Sequence, residues 1–146
     1  MAKNKPVRSS STGEENQERH RNHPVFGKLY YPTLFRVKAL KEDLDYYYLE
    51  DGHWEPVPLH LSTKKYIQRT DTLSERWVEG FVAHHYARYL GDLSGGQTLK
   101  RIVARMFNLS SGEGLAFYDF SQIPDLSQFK AEYRSQPDSN LVDEAT

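Results

Sequence analysis

Apolar residues along this chain recur at three- and four-residue steps, and no segment of useful length alternates with the two-residue period of a strand. From Thr33 onward, Leu34, Val37, Leu40, Leu44, Tyr47 and Tyr48 fall on one helical face, with Pro32 before the run and Asp51-Gly52 as a C-cap after it. Trp54 to Leu61, with Pro56 and Pro58, reads as a loop. Ser62 or Thr63 then caps a short helix carrying Tyr66 and Ile67. The longest run extends from about Thr72 to Phe107, where Trp77, Phe81, Val82, His85, Tyr89, Leu93, Gly96, Ile102 and Met106 hold a helical period. That exceeds the ~8–20 residues of an ordinary globular helix, and Ser110 to Gly114 closes it. A last helix over about Leu126 to Arg134 sets Phe129 and Tyr133 on one face, with Lys130 and Arg134 on the neighbouring one. The pattern predicts an all-α chain: a disordered polar start over 1–13, one domain over 14–135 and a flexible polar tail over 136–146. Glu14 to Arg21 reads as the frayed end of a helix stopped by His23-Pro24.

Composition narrows the chemistry. With 19 basic and 20 acidic residues the net charge is −1, which argues against a nucleic-acid surface. There is no cysteine, so disulfides and thiolate metal sites are excluded. No apolar run approaches the ~18 residues of a membrane span, and no secretory signal is visible. The hydrophobic content of 38% lies below the usual ~45–50%, as expected of a chain with polar segments or with a core completed by something else.

Gly91-Asp92-Leu93-Ser94-Gly95-Gly96 lies in the middle of the longest predicted helix. Three glycines inside a helix forfeit roughly 3 kcal/mol against alanine, which calls for a reason. Close packing of another backbone on Gly91 and Gly95 is the plain one. Phosphate binding is a second, since Leu93 to Gln97 matches the signature pentapeptide of ABC-type ATPases. That family also needs a Walker A loop and a Walker B strand, and the chain has neither. The third is a bent helix whose bare backbone lies against a flat ligand. In that reading Asp92 and Ser94 stand at the bend, and Tyr86, Arg88 and Tyr89 within two turns organise water for proton delivery.

The run Val82-Ala83-His84-His85-Tyr86-Ala87-Arg88-Tyr89-Leu90-Gly91-Asp92-Leu93-Ser94-Gly95-Gly96-Gln97 resembles the distal-helix motif of haem oxygenases. Further stretches match that family in order: Asn22 to Phe26, Leu29 to Pro32, Leu99-Lys100, Ser111 to Tyr118, and Phe129 to Ser135. The resemblance covers roughly Glu14 to Arg134. It implies an incomplete haem oxygenase-like multi-helical fold with a long, kinked, glycine-containing distal helix. The implied activity is oxidative cleavage of haem, as substrate and cofactor, to biliverdin, CO and ferrous iron. It also implies O2, electrons from NADPH through NADPH–cytochrome P450 reductase, and biliverdin reductase as a further partner. The implied place is the cytoplasm or the cytosolic face of the endoplasmic reticulum.

By the same resemblance Gly91 and Gly95 are close-approach positions, Asp92 orders the distal water, Arg88 holds that network, and Tyr86 reaches toward the network or a propionate. Lys130 and Arg134 match the basic pair near the propionates; without the resemblance they read as a solvated helix face. His84 matches a family position that is not the iron ligand, and His85 replaces a small residue of the pattern. None of the six histidines stands at the proximal position, so no metal ligand is assigned. The resemblance therefore implies a chain truncated at both ends, as a fragment, alternative form or gene product. Such a chain is expected to be catalytically weak or inert, with a haem- or partner-binding helical protein as the alternative. Its uncovered apolar face is an expected association liability.

Overall fold

The computed structural model describes residues 8–48 and 58–142. Among them are five α-helices and no strand: α1 (Arg8–Arg19), α2 (Val37–Tyr48), α3 (Leu61–Arg76), α4 (Val78–Met106) and α5 (Leu126–Val142). Short 3₁₀ turns at Phe26–Leu29, Pro32–Leu34 and Ala116–Tyr118 link them. α1 packs on α3 and α3 on α4, while α5 closes the far side of α4 near the Phe26–Leu29 turn. The core gathers Phe26, Leu29 and Leu34 from the linker, Leu73 from α3, Phe81, Val82, Tyr89 and Leu93 from α4, and Phe120, Ile123 and Tyr133 from the C-terminal part.

Several boundaries differ from expectation, each for a local reason. The polar run expected as a disordered start is helical from Arg8, because Asn16 and Gln17 of the same helix are buried against its neighbours. α2 begins at Val37 rather than Thr33. In a helix from Thr33, the carbonyls of Thr33 and Leu34 would accept from residues four further on. Instead the Arg36 guanidinium donates to both, and Glu14 Oε1 accepts from the backbone N–H of Arg36 and Val37. Glu14 thus caps α2 from another helix. None of the side chains of α2 is buried, so its expected apolar face is not a core face.

The single long helix expected over Thr72 to Phe107 is two helices joined at Trp77, whose extended backbone (φ −153°, ψ 85°) ends α3 and starts α4. The Trp77 ring folds over Gly80, where an added Cβ would lie 2.4 Å from Cε3. α3 is a 16-residue helix rather than a short one, and His60, not Ser62 or Thr63, caps it by accepting from the Ser62 N–H. α4 ends earlier than Ser110, with Asn108 at φ 53° and the Leu109 N–H bonded to the Ala104 carbonyl, a Schellman-type close. α5 continues to Val142, past the expected boundary at 135. Residues 1–7, the Asp51-Gly52 cap, the Trp54 to Val57 part of the loop and residues 143–146 lie outside the described residues.

One buried cation fastens the linker to the segment after α4. Arg36, 8% exposed, donates to the carbonyls of Thr33, Leu34, Phe117 and Asp119, and its guanidinium lies 4.1 Å from the centre of the Phe120 ring. Asp43 of α2 accepts from the N–H groups of Ala116 and Phe117, at 2.7 and 2.8 Å. Replacing Arg36 by alanine leaves four carbonyls, one buried and three partly buried, without this donor. The expected loss in urea unfolding is about 3 kcal/mol or more, and lysine, with one point charge, will not restore it. A loss below about 1 kcal/mol would show that water satisfies these carbonyls.

Candidate functional site

α4 runs unbroken through its glycine cluster, and the three glycines do different work. A Cβ on Gly96 would sit 2.8 Å from Tyr118 Cδ1, so this glycine seats the Tyr118 ring. Gln97 reinforces that seat by donating to the Tyr118 carbonyl at 3.0 Å. Gly91 and Gly95 lie four residues apart and face open space, with no described atom within 4 Å of where a Cβ would stand. Close packing therefore explains Gly96 and leaves Gly91 and Gly95 unexplained. The same outward face continues through Ala83 and Ala87 on one side and through Leu99, Ile102 and Met106 on the other, all exposed. The result is a strip of bare backbone and small or apolar side chains.

A polar row runs beside the strip at the same four-residue spacing: His84, Arg88 and Asp92. The Asp92 side chain is only 16% exposed, and Arg88 Nε lies 3.4 Å from its Oδ2. That distance pairs the charges without aligning a hydrogen bond, and Oδ2 is buried without a hydrogen-bond partner. Burial raises the Asp92 carboxyl above its ordinary range, with the Arg88 charge pulling the other way. Arg88 Nη1 reaches the Tyr66 hydroxyl at 3.5 Å, and that hydroxyl stands 3.1 Å from His84 Nε2. Burial, then the charges of Arg88 and Arg69, lower the His84 pKa. The His84 ring and the Arg88 guanidinium thus meet at one oxygen, the Tyr66 hydroxyl. Next to this row, Gln17, Tyr66, Thr70, His84 and Arg88 help line a cavity of about 40 Å³. A water needs only ~10–15 Å³ measured in this way.

Other expected residues stand apart from this row. Tyr86 stacks on Tyr133, with ring centres 5.5 Å apart and planes 4° from parallel. Among the described residues it has no hydrogen bond to Arg88 or Asp92. Lys130 is half-buried and Arg134 exposed on α5, and among the described residues neither has a hydrogen bond or ion pair. The five described histidines are all engaged within the protein: His20 with Ser74, His23 with the N–H of Val25, His60 as the α3 cap, His84 with Tyr66, and His85 with Tyr133 and Gln17. His53 lies outside the described residues. Tyr66 is the residue that sequence reasoning missed. It appeared only as an apolar position on a short helix, and its approach to Arg88, 22 residues away, leaves no local signal.

The profile of the family described as "Heme oxygenase" matches residues 10–146. The chain is 44% identical over 137 residues to "Heme oxygenase 1" of Nostoc sp., covering 93% of this chain and 57% of that protein. It is 42% identical over 135 residues to "Heme oxygenase 1" of Gallus gallus, covering 91% and 45%. Among solved structures, the haem oxygenase of Leptospira interrogans superimposes with a TM-score of 0.83 at 43% identity, over 91% of this chain and 64% of that one. Heme oxygenase-1 of the cyanobacterium Synechocystis, solved in complex with heme, gives 0.81 at 38%, over 89% and 58%. The chain thus spans about half the length of the curated relatives it matches.

The glycines separate by stability alone. In urea unfolding, Gly91→Ala and Gly95→Ala should each stabilise the protein by about 1 kcal/mol, the helix-propensity gain. Gly96→Ala should destabilise it by crowding Tyr118. Destabilisation by all three would mean that Gly91 and Gly95 also serve packing.

Proposed function

This chain belongs to the haem oxygenase family, and on that premise we propose that it binds haem against the outward strip of α4 for oxidative opening to biliverdin, CO and ferrous iron. The observation that carries the proposal is the pairing of two features. Gly91 and Gly95 expose backbone where a flat ring needs close approach, and beside them Asp92 Oδ2 is buried without a hydrogen-bond donor. An open apolar strip next to an orphaned carboxylate oxygen suits a flat apolar ligand and a held water together. Lys130 and Arg134 on α5, with no partner among the described residues, suit the carboxylates of such a ligand.

Bound haem would supply the iron that activates dioxygen and the ring that is opened, with electrons delivered from NADPH by a partner reductase and the product passed to a biliverdin reductase. The protein's own contribution is position and proton supply. Gly91 and Gly95 set how near the ring plane lies to the helix. Asp92 Oδ2 accepts from a water, and burial, which raises its pKa against the pull of Arg88, makes it a readier proton acceptor than an exposed carboxylate. Arg88 keeps that carboxylate charged and oriented, and Tyr66 and His84 hold Arg88 in turn. Tyr86, stacked on Tyr133, borders the strip where α4 meets α5.

No helix among the described residues is long and apolar enough to cross a membrane, so hemin binding and turnover can be assayed on the chain as it stands. With hemin and an NADPH-dependent reductase, biliverdin should form, and Asp92→Asn should reduce its rate by about 10²-fold while hemin affinity stays unchanged. Equal turnover by Asp92→Asn would remove Asp92 from proton delivery. Hemin binding without biliverdin would assign the chain a haem-binding role only, in keeping with five histidines already engaged by the protein.

A further inference from the structure

α5 meets α4 chiefly through one side chain. Tyr133 has no exposed surface, and its ring lies between those of Tyr86 and Phe129, with Tyr31 6.1 Å away. Stacked rings hold a distance but resist rotation weakly, because apolar contact has no direction. The Tyr133 hydroxyl supplies the direction, lying 2.7 Å from His85 Nδ1 in the interior.

His85 is 3% exposed and its other nitrogen, Nε2, lies 3.0 Å from Gln17 Oε1. Gln17, 2% exposed, donates through Nε2 to the Tyr89 hydroxyl at 3.0 Å. An amide oxygen only accepts, so His85 Nε2 carries the ring proton. Burial pushes the His85 pKa down to about 3, so the ring is neutral and Nδ1 has only a lone pair to offer. The Tyr133 O–H therefore donates to it. A buried chain of hydrogen bonds thus runs from α5 through α4 to α1, and turning Tyr133 away would leave His85 Nδ1 unpaired.

Lys130 and Arg134 stand three residues before and one residue after Tyr133. On a helix of 3.6 residues per turn both fall on the same side of it, one turn apart. A hydrogen bond that fixes the rotation of α5 at Tyr133 therefore also fixes where both cations point. We infer that His85 is a positioning residue: its bond to Tyr133 locks α5 so that Lys130 and Arg134 meet the carboxylates of a tetrapyrrole lying on α4. This rests on the haem-binding reading above and adds to it a residue that touches neither ring nor cation.

The test compares hemin with hemin dimethyl ester, which keeps the ring and lacks the carboxylate charges. Titrations use the full chain and its His85→Leu and Tyr133→Phe variants. Wild type should prefer hemin. Both variants should lose about tenfold in hemin affinity, the loss of one well-aligned charged contact, and keep the ester affinity. Tyr133→Phe retains the stacked ring and differs only by the hydroxyl, so it carries the test if His85→Leu does not fold. Unchanged hemin affinity in folded Tyr133→Phe overturns the inference, as does an equal loss for both ligands, which would mark His85 as general support. Wild type that binds neither ligand, or both equally, instead overturns the haem-carboxylate reading on which the inference stands.

Discussion

The fold turns on the buried guanidinium of Arg36. It takes carbonyls from the linker before α2 and from the segment after α4, regions more than 80 residues apart, and binds them as one unit. That segment carries Tyr118, which lies on Gly96 and fills the inner side of α4. With Gly96 turned inward, Gly91 and Gly95 are turned outward, because adjacent helical positions differ by about 100°. The outward face of α4 is in this sense set from behind. A cation placed early in the chain thus backs up the core residues of α4 in setting which glycines face solvent and which face protein.

Polar groups are distributed with the same economy. Most buried polar atoms are matched, including the chain from Tyr133 through His85 and Gln17 to Tyr89 and the Glu14 cap of α2. Two buried side-chain oxygens among the described residues lack a partner, Asn16 Oδ1 and Asp92 Oδ2, and the second lies beside an arginine that pairs with it without bonding to it. Buried polar atoms are rarely left unsatisfied unless water or a ligand completes them. Asp92 stands one residue from Gly91 on the open strip of α4, where completion from outside is possible.

The all-helical class was legible because the periodic runs are long, as were the glycine cluster and the shared face of Phe129 and Tyr133. What escaped the sequence has one cause. Side chains bonding to backbone leave no period, whether from afar, as Glu14 caps α2, or locally, as Arg36 takes the carbonyls that would have begun it and His60 caps α3. The break at Trp77 was hidden because the apolar spacing carries across it, and only the ring lying on Gly80 reveals why the helix must stop. At the site, Asp92, Arg88 and the two outward glycines were visible as a motif. Tyr66 was not, since it reaches Arg88 from a separate helix. Tyr86, expected to reach toward the polar network or a propionate, stacks on Tyr133 where α4 meets α5.

The central claim is that bare backbone at Gly91 and Gly95 is a ligand platform rather than a packing device. Gly95→Leu tests it most directly, since the new side chain would stand over the strip where no described atom lies. The account predicts a variant that is at least as stable as the parent and at least about tenfold weaker in hemin affinity by Soret titration. Undiminished affinity in a folded Gly95→Leu would contradict it and place the haem elsewhere.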